Sequence, residues 1–150
     1  MGSLTLPKAS SGSIYLDTDA LIYSVERVPQ YWPLLEPLWS ALQSRLTVIA
    51  GSELLVIESL TGAIESGDPA LRANFESVFA SGQLQLFPVT RDVLVRGAEL
   101  RAAHRLRTPD AIHAATALLG NAAMFLTNDV GYRRVPGLPV VLLDDVLRTP

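Results

Sequence analysis

The chain contains no cysteine. Disulfides, thiolate metal sites and cysteine nucleophiles are therefore excluded, and a reducing, cytoplasmic setting is expected. It has a single lysine, Lys8. No GxxxxGK[ST] phosphate loop is present. No GxSxG nucleophile elbow is present either. The two histidines, His104 and His113, lack metal-ligand spacing. No apolar run approaches the ~18 residues that a membrane span requires. The opening segment MGSLTLPKASSGS has no apolar h-region, so residues 1–12 are expected to form a flexible arm rather than a signal peptide.

What remains suits one domain. A length of 150 residues with 49% hydrophobic side chains can bury a sizeable core. The net charge of −3 excludes blanket binding of nucleic acid. The basic residues are nonetheless distinctive, because all but one of the twelve are arginine. Five of them (Arg91, Arg96, Arg101, Arg105 and Arg107) lie close together. Arginine grips phosphate through a planar fork, although such a run is also what a solvated helix face looks like.

Five short apolar runs read as strands: 14–17, 46–50, 84–89, 123–127 and 140–143. Most are continuous rather than alternating, as for strands buried on both faces. Helical stretches are expected at 19–26, 32–44, 52–65, 69–80, 91–105 and 109–119. This alternation predicts an α/β fold with a mostly parallel sheet of four to five strands and helices on both faces. Ligands in such sheets sit beyond the carboxyl ends of the strands.

Four acids fall at such places. Asp17 ends the first run in IYLDTDALIY, where Thr18 or Asp19 can cap the following helix. Glu58 lies within SELLVIESL, with Ser52 as the expected N-cap. At about 100° per residue, Leu54, Ile57, Leu60 and Ile64 form an apolar arc, and Glu58 stands on its shoulder. Glu53 is explained by the helix dipole, and Glu65 lies roughly 10 Å further along. Asp110 follows Thr108 as expected N-cap and Pro109 as first helical residue. The helix behind it, AIHAATALL, is almost uncharged and must be buried. Asp129 follows the run AMFLT, where Asn128 and Asp129 could equally form an Asx turn. Four carboxylates within several ångströms repel by ~2–3 kcal/mol per pair at an effective dielectric of ~20. A cation relieves that repulsion, and oxygen ligands favour Mg²⁺ or Mn²⁺. His113 shares a helix face with Asp110 and is expected to be packed and hydrogen-bonded.

DTDALI also fits the D-x-D opening of haloacid-dehalogenase-type phosphatases, with Asp144 and Asp145 as a later acidic pair. That chemistry needs a lysine at the phosphate, and Lys8 precedes the first strand.

IYLDTDALIY, SELLVIESL, TPDAIHAATALL and FLTND, in that order, resemble the PIN-domain ribonucleases, and most closely the VapC-type toxins of bacterial toxin–antitoxin pairs. The resemblance runs from about Ile14 to Val146. It implies a three-layer α/β/α sandwich over 13–147, with 148–150 as a tail. It also implies an endoribonuclease dependent on Mg²⁺ or Mn²⁺, with Asp17, Glu58, Asp110 and Asp129 as the catalytic, metal-binding quartet. The implied partners are RNA, a cognate antitoxin and a second copy of the chain. Asp19 departs from the hydroxyl or amide residue often found there, and is expected to act as a cap. Arg133 and Arg134 are candidates for flanking phosphates. Tyr31, Trp32, Leu35 and Trp39 are candidates for the antitoxin groove or dimer face, or for the core. The alternatives are a degenerate PIN-like module that binds RNA or protein without catalysis, and a small-molecule phosphohydrolase.

Overall fold

Every strand lies within or beside an expected run, and all five pair in parallel in the order β3-β2-β1-β4-β5. The computed structural model describes residues 2–150. Met1, the first residue of the expected arm, lies outside the described residues. The strands are β1 (Ile14–Leu16), β2 (Ile49–Ser52), β3 (Leu84–Phe87), β4 (Met124–Thr127) and β5 (Val140–Leu142). Residues of β1, β2 and β4 are all buried, whereas the edge strands β3 and β5 are only partly so. The continuous apolar runs thus reflect burial on both faces.

Helices α1 (Thr18–Val25) and α2 (Trp32–Gln43) link β1 to β2, and α3 (Leu54–Glu65) and α4 (Pro69–Ala80) link β2 to β3. Helices α5 (Arg91–His104) and α6 (Thr108–Leu119) then carry the chain back to β4. Two cores result, divided by the pleat of the sheet. Ile14, Leu16, Met124 and Leu126 face a cluster built with Leu21, Leu35, Leu38 and Leu55. Tyr15 and Phe125 face the opposite way, onto Ala111, Ala114, Ala115 and Leu100. These are the outer layers of a three-layer α/β/α sandwich. The near absence of charge in α6 is explained by its burial: Ala111, His113, Ala114, Ala115, Thr116 and Ala117 are all enclosed.

Several expectations shift. The second strand begins at Ile49 rather than at Leu46, which is 66% exposed. A further helix, α7 (Leu143–Arg148), follows β5 directly. Its apolar start continues the strand without a turn residue, so no boundary shows in the sequence. Near the amino terminus, Leu4 and Leu6 pack against the first core. The Ala9 amide donates to Leu46 O at 3.0 Å, and Thr47 donates to Pro7 O at 3.1 Å.

The sheet order fixes where a site can form. The chain runs outward from β1 through β2 to β3, then returns to the other side of β1 as β4. The carboxyl ends of β1 and β4 therefore flank the topological switch point, the usual binding crevice of an open parallel sheet.

Candidate functional site

Asp17 stands at that point. Its amide donates to Leu126 O at 3.0 Å, which ties the ends of β1 and β4 together. Asp17 is the N-cap residue of α1, yet its side chain makes no capping bond. The carboxylate turns instead across the sheet edge. It accepts from the Thr127 hydroxyl at 2.7 Å and the Tyr132 hydroxyl at 3.3 Å. Only 7% of the residue is exposed. Burial pushes its carboxyl above the ordinary carboxylate range, against the pull of His113 and Thr127, and the charge of Glu58 adds to the rise.

Glu58 reaches the site from α3, but not for the expected reason. Ile57 is 64% exposed and Ile64 51% exposed, so only part of the anticipated apolar arc is turned inward, with Leu60 packed against the first core. The buried stripe is Leu55, Ser59 and Ala63. Small residues let α3 lie close to its neighbours, and the Ser59 hydroxyl is satisfied by Leu55 O at 2.6 Å. Glu58 borders that stripe, next to Leu55 and Ser59 on the helix surface. Ser52 does not act as the N-cap residue; its hydroxyl accepts from the Leu54 amide in the turn before the helix.

Glu58 Oε1 is held by two side chains. Thr18 donates to it at 2.9 Å, and His113 Nε2 lies 2.6 Å away. Half-burial acts to raise the Glu58 carboxyl, but the hydrogen bonds from His113 and Thr18 outweigh this and hold it below the usual range. His113 is 1% exposed, and its Nδ1 lies 2.7 Å from the Tyr15 hydroxyl. It is the packed, hydrogen-bonded histidine that the sequence suggests. His104 sits in the last turn of α5, outside this group.

Asp110 occupies the first turn of α6. The N-cap residue is Arg107 rather than Thr108, and Thr108 and Pro109 are the first two helical residues. Arg107 has extended backbone and its guanidinium folds forward, donating from Nε to Asp110 Oδ2 at 3.0 Å. A cation thus meets the first-turn acid where a capping hydroxyl was expected. The other oxygen, Oδ1, accepts from Tyr132 at 3.4 Å. One phenol therefore spans Asp17 and Asp110, through bonds longer than the ~2.5–3.0 Å usual for a hydroxyl donor. Burial and the two carboxylates push the Tyr132 phenol far up, so it remains a donor.

Asp129 caps a short 3-10 turn, Val130–Arg134, accepting from the Gly131 amide at 2.8 Å. The Asx-turn alternative is therefore present. Its own amide donates to the Thr127 hydroxyl at 3.0 Å. Thr127 thereby links Asp129 to Asp17. The structure gathers all four acids around the switch point, through Thr127, Tyr132, Thr18 and His113. Among the described residues, however, no three Asp, Glu or His side chains are placed so that they could hold a metal ion by themselves.

Asp19 does not cap α1. It lies in the first turn, accepting from the Ala20 amide at 2.7 Å and the Asn128 amide at 2.8 Å. It clamps the segment after β4 to the start of α1. Burial, then the charge of Asp17, push its carboxyl from 3.8 up to about 7. Asp144, in the first turn of α7, accepts from Tyr31 at 2.9 Å and bonds reciprocally with Asn128. Asp145 pairs with Arg133.

Three side chains escaped the sequence reading as site residues. Tyr132 is an aromatic residue in the short polar stretch after Asp129, which is a signal in retrospect. Tyr15 looks like any strand residue. Arg107 is not distinguished in the sequence from the arginines that precede it. By contrast, Arg133 is engaged with Asp145, and Arg134 donates to Gly131 O at 3.2 Å. Of the candidates for the antitoxin groove or dimer face, Tyr31 and Leu35 belong to the core. Trp32 and Trp39 line an open groove of 570 Å³ between α1, α2 and α4, where the Arg27 guanidinium stacks 5.1 Å from the Trp32 ring centre. The Trp39 indole nitrogen is buried there without a hydrogen-bond partner among the described residues.

Comparison with known proteins places this geometry. No curated protein matches the chain. Among solved structures, VapBC2 from Rickettsia felis, bound to a DNA fragment from its promoter, aligns with a TM-score of 0.70 at 18% identity, covering 86% of this chain and 97% of that one. A toxin–antitoxin complex from Klebsiella pneumoniae aligns with a TM-score of 0.64 at 23% identity, covering 87% and 98%. VapC20 of Mycobacterium tuberculosis, a sarcin–ricin loop cleaving toxin, aligns with a TM-score of 0.62 at 20% identity, covering 75% and 87%. The PIN domain family model matches residues 14–138, which include Asp17, Asp19, Glu58, Asp110 and Asp129. The chain belongs to the PIN domain family.

Proposed function

We propose that this protein is a Mg²⁺- or Mn²⁺-dependent endoribonuclease, the toxin of a VapBC-type toxin–antitoxin pair acting in the cytoplasm. The observation that carries the reading is the convergence of Asp17 and Asp110 on one hydroxyl at the switch point, with Glu58 fixed beside them. The aligned structures support the toxin reading, since one is a toxin–antitoxin complex and another a sarcin–ricin loop cleaving toxin.

The donor set fits a hard cation. It consists of carboxylate oxygens, and the one nearby histidine has both ring nitrogens within hydrogen-bonding distance of protein partners. Asp17 is an acid whose ionised form is costly in its buried place, so it calls for positive charge. Mg²⁺ commonly binds through one or two carboxylates, several waters and the substrate phosphate, so a closed protein cage is not required. Asp17, Asp110, Asp129 and Glu58 would hold it, in part through its own waters. When bound, it would neutralise charge on the phosphoryl group in flight and make water a better nucleophile at neutral pH.

The chain's own residues do the rest. Glu58 Oε1 is taken up by Thr18 and His113, which leaves Oε2 to orient the attacking water and accept its proton. Asp129 Oδ2 is similarly left by the Gly131 turn. Arg107, 79% exposed at its side chain, stands at the rim where a flanking phosphate would approach. Single-stranded or looped RNA fits such an open edge, because its backbone can be splayed across it. The cognate antitoxin would occupy the Trp32–Trp39 groove. A homodimer would cover the exposed Ile57 and Ile64 of α3.

The test is Asp110→Asn, followed on an RNA panel in Mg²⁺ and in Mn²⁺. Cleavage by wild type and its loss in the variant are expected; unchanged cleavage ends the assignment. A second reading, a binding module without catalysis, is favoured by the absence, among the described residues, of three side chains placed to hold an ion unaided. A Mn²⁺ titration separates the two. The enzyme gains thermal stability from the ion, and a module without a metal site does not.

A further inference from the structure

Glu58 accepts from two side chains on one oxygen, and the support behind one of them, His113, runs through the core. His113 lies on the buried face of α6 and Tyr15 in the middle of β1, with both side chains enclosed. The ring of His113 meets Glu58 Oε1 at one nitrogen and the Tyr15 hydroxyl at the other. The roles follow from the donors available. An ionised carboxylate only accepts, so Nε2 carries the proton that faces Glu58. A phenol enclosed in the core keeps its own proton, so it donates to Nδ1. Each buried polar atom is then satisfied, and the ring is fixed in one tautomer and one orientation.

We propose that Tyr15 and His113 form a positioning relay that fixes Glu58, so that its Oε2 is presented to the substrate side of the site. The inference rests on the ribonuclease reading and names two residues that act through Glu58 without touching substrate. Thr18 contributes a second donor to the same oxygen, at 2.9 Å. Two donors on Oε1 restrict rotation of the carboxylate, which a single bond would not. Outer partners of this kind are commonly worth about 10–100-fold in activity.

The experiment is a double-mutant cycle on cleavage of a fluorogenic RNA in Mn²⁺. Tyr15→Phe removes one hydroxyl and leaves the ring stacked on Phe125, whose centroid is 5.0 Å away. It is expected to lower kcat about tenfold with KM within twofold, and to lower the melting temperature by a few degrees because His113 Nδ1 loses its donor while the fold is kept. In a Glu58→Gln background the same substitution should have no further effect, because the group it positions is gone. His113→Gln, which can still donate to Glu58, should retain more activity than His113→Ala. Effects of Tyr15→Phe and Glu58→Gln that multiply, or an unchanged kcat in Tyr15→Phe, would overturn the relay. Nitrogen NMR of the imidazole supplies a readout apart from activity. A protonated Nε2 and a bare Nδ1 are expected for His113, and the opposite tautomer would overturn the proposal. If the wild-type chain cleaves no RNA while the tautomer is as expected, the ribonuclease reading has failed and the relay loses its purpose with it.

Discussion

Asp17 and Asp110 accept from the same tyrosine, yet they stand in opposite surroundings. Asp17 is enclosed among neutral hydroxyls, and its charge is held at a cost that burial imposes. Asp110 sits at the rim with an arginine folded onto its outer oxygen. Glu58 belongs with the first, fixed from within by His113, and Asp129 with the second, held by a local turn. One half of the site is pre-organised by the core, and the other is adjustable at the surface. On the proposed ribonuclease reading, rigid placement would suit the groups that meet the phosphate, and an exposed rim would suit entry and release of the RNA.

Substituting the two shared acids should separate these halves most clearly. Asp17→Asn and Asp110→Asn are each expected to reduce RNA cleavage by about 10²–10³-fold, as removal of a key charge-stabilising group does. Their melting temperatures in metal-free buffer should diverge. Asp17→Asn removes a buried charge and keeps an oxygen for Thr127, so it should melt higher than wild type. Asp110→Asn only loosens an exposed ion pair and should barely move. Differential scanning calorimetry checks both. A lower melting temperature for Asp17→Asn would mean that the buried acid is not held at a cost.

Tyr132→Phe joins the comparison at its hinge. The phenol bonds to a carboxylate of each half, through two long bonds. Its removal should lower cleavage about tenfold while leaving affinity for RNA in EDTA unchanged. Fluorescence anisotropy alongside kinetics distinguishes that outcome from a general loss of fold.

The pH dependence of stability comes next in size. Asp19 titrates at about 7 in the folded chain against 3.8 ordinarily, and Asp17 is shifted in the same direction. Between those pH values the folded protein binds protons that the unfolded chain has released. Stability is therefore greatest below about pH 4 for these groups and declines as pH rises through 7. Glu58 is shifted the other way, so its contribution is lost only in more acidic solution. Metal-free chemical denaturation from pH 5 to pH 8 should show a falling midpoint. Asp19→Asn gives up one of two backbone bonds, so it should be weaker overall but less dependent on pH. An equal slope in the variant would remove Asp19 from the account.

The same division decides what the amino-acid sequence discloses. The sheet was legible because strands buried on both faces must be continuously apolar, and α6 because a helix without charge has to be enclosed. The ends of β1 and β4 were legible for a related reason: an acid directly after an apolar strand has few places to go. Glu58 was found on faulty grounds. The apolar periodicity of α3 points Ile57 and Ile64 inward, whereas the fully buried stripe is Leu55, Ser59 and Ala63, and two small residues in that stripe weaken its periodic signal. Tyr15, His113 and Tyr132 join the site through contacts across the sheet, which no local pattern records. The short α7 lacks the turn residue that would separate it from β5.

Arg107 marks the smallest effect and the limit of the rim. Its guanidinium is exposed and donates through Nε to Asp110, and its charge also acts on Glu58. Arg133 and Arg134, the nearer neighbours of Asp129 in sequence, are turned to Asp145 and to Gly131. Arg107→Gln should therefore weaken RNA binding a few-fold. The slope of log affinity against log salt should fall by about one, as expected when a single phosphate contact is lost. Arg133→Gln should leave the slope as it is. Anisotropy titrations at several salt concentrations measure both. If Arg133 alone changes the slope, substrate enters along the 3-10 turn, and the adjustable half of the site lies on the opposite side of Asp129 from where Arg107 places it.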